Sequence, residues 1–155
     1  MPTDDATRAY VDGLKMLARR ELSEMQVRDR LTRRGFESTA IDEAVARLRA
    51  ERAIDDERVA EAIARTETSV RRRGKTRVLA QIERAGIGRH VAQRAVDDAF
   101  ESVDADAVIE AAIEKRLKGQ TITDDRELAR LYRYLLNQGF DADRILRALE
   151  ARKRT

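Results

Sequence analysis

One short phrase is written three times in this chain: an aliphatic residue, three further residues, a glycine, a second apolar residue, and then a new helical run. It reads Leu31 to Gly35-Phe36, Ile82 to Gly86-Ile87 and Leu135 to Gly139-Phe140. The glycines stand 51 and 53 residues apart (86 − 35 and 139 − 86), the period of one small helical module repeated in tandem. A chain of 155 residues divided in this way has units too small to bury a large core alone, so each must lean on a neighbour. It reads as an array and not as one pocketed globule.

Charged residues make up 39% of the chain and aromatics 4%, which suits slender helices with narrow apolar stripes and predicts almost no β structure. The only proline is Pro2, so glycines and caps must set the helix boundaries. Ser23 with Gln26 has capping-box spacing, and Ser38 or Thr39, Asp55, Thr76, Asp104, Thr123 and Asp141 are the other candidate N-caps. Gly35, Gly86, Gly119 and Gly139 are candidate helix ends, since glycine takes the left-handed C′ conformation without a Cβ penalty.

These signals outline an all-α fold, a tandem array of three three-helix repeats over residues 1–54, 55–103 and 104–155. The first has helices near 6–20, 24–34 and 39–52, with Tyr10, Leu14, Leu17, Val27, Leu31, Ile41, Val45 and Leu48 facing inward. The second has helices near 56–70, 76–85 and 89–101, and the third near 104–118, 124–138 and 142–153. The connection between first and second helices varies most, and in the second repeat it carries a basic cluster, the main candidate contact site.

The net charge of +3 hides an uneven distribution. Arg71, Arg72, Arg73, Lys75 and Arg77 put five cations in seven residues, with Glu67 and Glu83 the nearest acids in sequence. From Ala95 to Glu114 every charged residue is acidic. The basic cluster reads either as a solvated loop with cations at a helix C-terminus, or as a surface for DNA phosphate or an acidic protein. Arg28, Arg30, Arg33 and Arg34 form a second basic stretch in the first repeat. Tyr132 and Tyr134 point about 200° apart on one helix, so one should be packed and the other partly exposed. Tyr134 is a candidate recognition anchor among arginines.

Chemistry that needs a dedicated site finds little support. There is no cysteine, which removes disulfide and thiolate chemistry and suits a reducing compartment, the cytoplasm. His90 is the only histidine, so a zinc site would need a carboxylate shell with no apparent spacing, and no serine has the context of a nucleophile elbow. Asp55-Asp56 and Asp124-Asp125 stand at predicted helix starts, where capping accounts for them better than acid-base catalysis. Gly74-Lys75-Thr76 has the end of a phosphate-binding loop but neither its earlier glycine nor a preceding strand. No catalytic residue, metal or cofactor is expected. Residues 1–10 lack an export signal, and no run approaches the ~18 apolar residues of a membrane span.

Three segments carry a family resemblance: Leu14 to Phe36, LKMLARRELSEMQVRDRLTRRGF; Ile54 to Arg65, IDDERVAEAIAR; and Arg71 to Ile87, RRRGKTRVLAQIERAGI. With the closing Leu128 to Leu149, LARLYRYLLNQGFDADRILRAL, the chain resembles the RecX regulatory proteins of bacteria over nearly its whole length. The resemblance implies tandem repeats forming an elongated, curved molecule that binds the RecA recombinase filament on DNA. It also implies a modulator, mainly an inhibitor, that suppresses RecA ATP hydrolysis, strand exchange and coprotease activity, with roles in homologous recombination, DNA repair and the SOS response. Such a protein would be a cytoplasmic monomer, its faces free, touching DNA in the filament or weakly alone. The candidate contacts are then Arg28, Arg30, Arg33, Arg34, Arg71, Arg72, Arg73, Lys75, Arg77 and Tyr134, with the acidic Asp97 to Glu114 stretch meeting a basic protein surface. Two other readings are an autonomous DNA-binding helical protein and a helical scaffold for another partner. Steep salt dependence of DNA binding marks the first, and absence of any effect on RecA the second.

Overall fold

A computed structural model describes residues 4–153 of the protein; Pro2 lies outside them. Among the described residues there are nine α-helices: α1 (Asp4–Arg19), α2 (Glu24–Arg33), α3 (Ser38–Ala50), α4 (Asp56–Arg65), α5 (Lys75–Arg84), α6 (Arg89–Phe100), α7 (Ala105–Leu117), α8 (Asp125–Asn137) and α9 (Ala142–Glu150). Their only β feature is an isolated bridge between Ile122 and Lys153. The chain divides into two compact units, residues 1–62 with 82–95, and residues 63–81 with 96–155.

The repeated phrase is a helix-stop device. At the end of α2 the Gly35 N–H donates to Thr32 O and the Phe36 N–H to Leu31 O, the paired bonds of a Schellman motif, with Gly35 at φ 93°. Gly139 and Phe140 repeat both bonds on Leu136 and Leu135 at the end of α8, and Gly86 repeats the first on Glu83. Each phrase thus satisfies orphan carbonyls of its helix while turning its second apolar residue back toward the core. Phe140 and Ile87 are buried, and Phe36 packs against the first unit's core.

Starts follow the expected caps at four places. Ser23 and Gln26 form a reciprocal capping box, and Asp55, Asp104 and Asp141 each accept a backbone N–H from the first turn of α4, α7 and α9. Elsewhere the boundary moves. α3 begins at Ser38 behind Glu37, with no side-chain cap, α8 is capped by Asp124 in place of Thr123, and α5 starts at Lys75, one residue before Thr76.

In the first unit Val27, Leu31, Ile41, Val45 and Leu48 form one core with Met16 and Ala9. Complete burial of a leucine or isoleucine here stabilises by roughly 2 kcal/mol. Leu14, expected inside, is 38% exposed. The inward face of α1 is instead Ala6, Ala9, Gly13 and Met16. Small residues face in because α3 lies close: a Cβ on Gly13 would stand 2.8 Å from Leu48 Cδ1. In the second unit Ile109, Ile113, Leu131, Leu135, Ile145 and Leu149 join α7, α8 and α9. Tyr132 and Tyr134 both pack against that core and both remain half-buried, where one packed and one partly exposed ring was expected.

The helix expected near 56–70 stops being α-helical at Arg65 and continues as one π-helical turn, Thr66–Val70. Its wider loop closes through Arg71 N–H to Thr66 O at 3.1 Å. Glu67 is buried in it, beside Arg71 Nη1 at 3.6 Å and Arg73 Nε at 3.9 Å.

Candidate functional site

Two concave surfaces, one in each unit, gather most of the candidate residues. The first lies where the C-terminal turns of α1 and α2 come together. It is a depression of about 600 Å³ lined by Lys15, Met16 and Arg19 of α1 with Arg20 just beyond it, and by Arg30 and Arg33 of α2 with Arg34 at its C-cap. Cations at helix C-termini face the negative end of the dipole, which explains how the sequence tolerates them there. It does not neutralise them. Arg34 has Asp12 at 3.5 Å, while among the described residues the side chains of Lys15, Arg19, Arg20, Arg30 and Arg33 form no ion pair.

Arg28 is turned away from this basin. Its guanidinium is held by Glu24 at 3.1 Å and Asp42 at 2.6 Å. Glu24 also takes Arg49, so Arg28 belongs to a network that ties α2 to α3. Lys15, Arg19 and Arg20 were not singled out from sequence. The available signal was that α1 and α2 both carry cations in their last turns.

The basic-glycine segment caps a helix before it does anything else. Gly74 N–H donates to Gln138 O at 2.8 Å, Thr76 N–H to Gly139 O at 3.2 Å and Arg77 Nη1 to Asn137 O at 3.1 Å, while Arg73 Nη1 bonds Gln138 Oε1. The backbone acceptors are the last carbonyl of α8, Asn137 O, and the two that follow it, none of which has an intrahelical partner. Gly74 is required by the approach itself, since a Cβ there would enter the Gly139 backbone. Arg73 and Arg77 are therefore fixed by α8. Lys75 is exposed and lies 5.8 Å from the centre of the Phe100 ring.

Arg71, Arg72 and Tyr134 meet at a second depression of about 510 Å³. Its floor is Val108, Ala112 and Phe140, and Tyr134 forms one wall with the Arg116 guanidinium 3.5 Å from the ring centre. Arg71, Arg72 and Lys115 stand around the mouth. Arg72 holds a left-handed backbone, φ 56°, where the chain leaves the π-turn.

Within the acidic stretch four carboxylates have partners in their own unit. Asp104 caps α7, Asp106 pairs with Arg144 at 2.9 Å, and Glu110 and Glu114 hold Arg152 at 3.3 and 2.8 Å. Among the described residues no group of three or more His, Cys, Asp or Glu could hold a metal, and no helix is long and apolar enough to cross a membrane.

Comparison with known proteins places this chain in a family. Residues 9–48 match the model described as "RecX, first three-helix domain". Over 137 residues the chain is 33% identical to the regulatory protein RecX of Syntrophotalea carbinolica, covering 86% of this chain and 89% of that one. It is 31% identical over 139 residues to the regulatory protein RecX of Geobacillus kaustophilus, covering 88% of this chain and 51% of that relative, about half its length. The crystal structure of RecX from Lactobacillus salivarius shares the fold at a TM-score of 0.75 over 96% of both chains, with 20% identity. Nine helices with almost no strand among the described residues, a matching first domain and a 33% identical relative along most of its length identify this chain as a member of the RecX family of regulatory proteins.

Proposed function

We propose that this protein regulates the RecA recombinase, mainly as an inhibitor, by binding the RecA–DNA filament and suppressing ATP hydrolysis, strand exchange and coprotease activity. The observation that carries the reading is the alignment, along 86% of the chain, with a relative named a regulatory protein RecX. The division into repeats at 1–54, 55–103 and 104–155 belongs to the same reading. The protein acts without catalysis or cofactor, as a monomer in the cytoplasm.

The basin between α1 and α2 supports a role for nucleic-acid phosphate. Five unpaired cations around one concavity raise the local potential and attract a polyanion, and an absence of aromatic lining suits backbone contact without base choice. Arg30 and Arg33 are the residues assigned to this contact, joined by Lys15, Arg19 and Arg20; Arg71 and Arg72 contact the filament from the second unit. The test is inhibition of RecA strand exchange by the double variants R30E/R33E and R71E/R72E. Weakened inhibition by either is expected, and undiminished inhibition by both would overturn the assignment.

The same basin favours one second reading, DNA binding without RecA. Neutralising about five phosphates would give a log-log salt slope near −4.5 on duplex DNA. Tight binding with that slope, together with no effect on RecA, would select the second reading over the first.

A further inference from the structure

The cleft beside Tyr134 combines properties that a structural role does not require. Val70, at its lip, is 75% exposed, an aliphatic side chain held in water by the last position of the π-turn. α7 turns Ala111 and Ala112 toward the cleft, and these leave room where larger residues would close it. The mouth carries only cations: Arg72 and Lys115 form no ion pair among the described residues, and no carboxylate lines the cleft. The complement of such a surface is an apolar group flanked by negative charge.

Nucleic acid fits it poorly. A base needs a free aromatic face and hydrogen-bonding edges, yet the Arg116 guanidinium already covers Tyr134, and Gln138 is engaged by Arg73. An aliphatic floor with a cationic rim suits an apolar side chain of a polypeptide, with carboxylates on either side.

We propose that this cleft is a docking site for a short acidic segment of a protein partner, one apolar side chain entering against Val108 and Ala112 while neighbouring carboxylates meet Arg72 and Lys115. The assignment deepens the regulatory reading, on which it rests for a partner that is a protein.

The test needs no RecA, so it fails independently of that reading. The full ¹⁵N-labelled chain is titrated with a peptide of two central leucines between runs of glutamate, followed by amide shifts. Saturable shifts at Val70, Arg72, Ala112 and Tyr134 are expected. Replacing the leucines by alanine should weaken binding about tenfold, since the leucine that enters the cleft loses most of its buried aliphatic area. The variant R72E/K115E should weaken it about fivefold, as rim charges do, with thermal unfolding unchanged. Ala112→Trp, which fills the floor, should remove the response. Equal binding of the alanine peptide, shifts confined to other regions, or displacement of the peptide from these amides by oligothymidine would overturn the proposal.

Discussion

Glu24 illustrates how a single side chain in this protein joins several elements. Its backbone N–H donates to Asp56 Oδ1 at 2.9 Å, and its carboxylate receives Arg28 and Arg49. Burial pushes the Glu24 carboxyl up, but the hydrogen bonds from Arg49 and Arg28 outweigh it and hold the group below its ordinary value of 4.5. A depressed carboxylate adds stability that is present above its unfolded value and lost as pH falls through the folded one. Glu51, held low chiefly by the Tyr10 hydroxyl, acts in the same direction. Urea unfolding followed from pH 6 to pH 3 should therefore show a steep acid loss that is shallower in Glu24→Gln; equal steepness would contradict the network. Ser23, one residue earlier, is fully buried, caps α2 and donates to Ala85 O. Ser23→Ala removes the cap and leaves a part-buried acceptor unpaired, which should lower stability by about 1 to 3 kcal/mol in the same urea assay. The capping half of that role was legible in the Ser23-Gln26 spacing. The bond to Ala85 was not, because it joins residues 62 apart.

Among elements, the helix stops were the most legible feature, since a left-handed C′ position is a local demand that only glycine meets cheaply. Their tolerance to alanine should nonetheless differ. Gly35 has open space where a Cβ would go, so Gly35→Ala should cost about 1 to 2 kcal/mol from backbone strain alone. At Gly139 a Cβ would lie 2.5 Å from the Arg77 backbone nitrogen, so overpacking adds about 1 to 3 kcal/mol to that strain. Thermal unfolding of the two variants measures the difference; equal losses would contradict it. The register of α1 was misread for a related reason. Periodicity weights Leu14 above Gly13, whereas close packing against Leu48 selects the residue with no side chain. The π-turn gave no sequence signal. Its stability depends on Glu67 reaching Arg71 and Arg73, and Glu67→Gln should destabilise the second unit, seen as faster amide exchange from Val70 to Arg73.

At the scale of the molecule, charge read along the chain is a poor guide to charge presented to a partner. Five cations in seven residues drew attention to the Arg71–Arg77 segment, yet Arg73 and Arg77 are committed to the end of α8. The densest unpaired cations come from two helices whose ends meet only in the folded unit, which is why Lys15, Arg19 and Arg20 escaped a linear reading. In the acidic run, Arg144 and Arg152, far along the chain, pair with Asp106, Glu110 and Glu114, contacts that no linear reading shows. The most direct measurement of the proposed regulation is RecA-catalysed ATP hydrolysis on single-stranded DNA, titrated with this protein from substoichiometric to stoichiometric ratios, with a DNA-excess control. Inhibition that survives excess DNA and weakens in R30E/R33E is the result expected. No inhibition, or inhibition abolished by added DNA, would contradict a direct action on the filament.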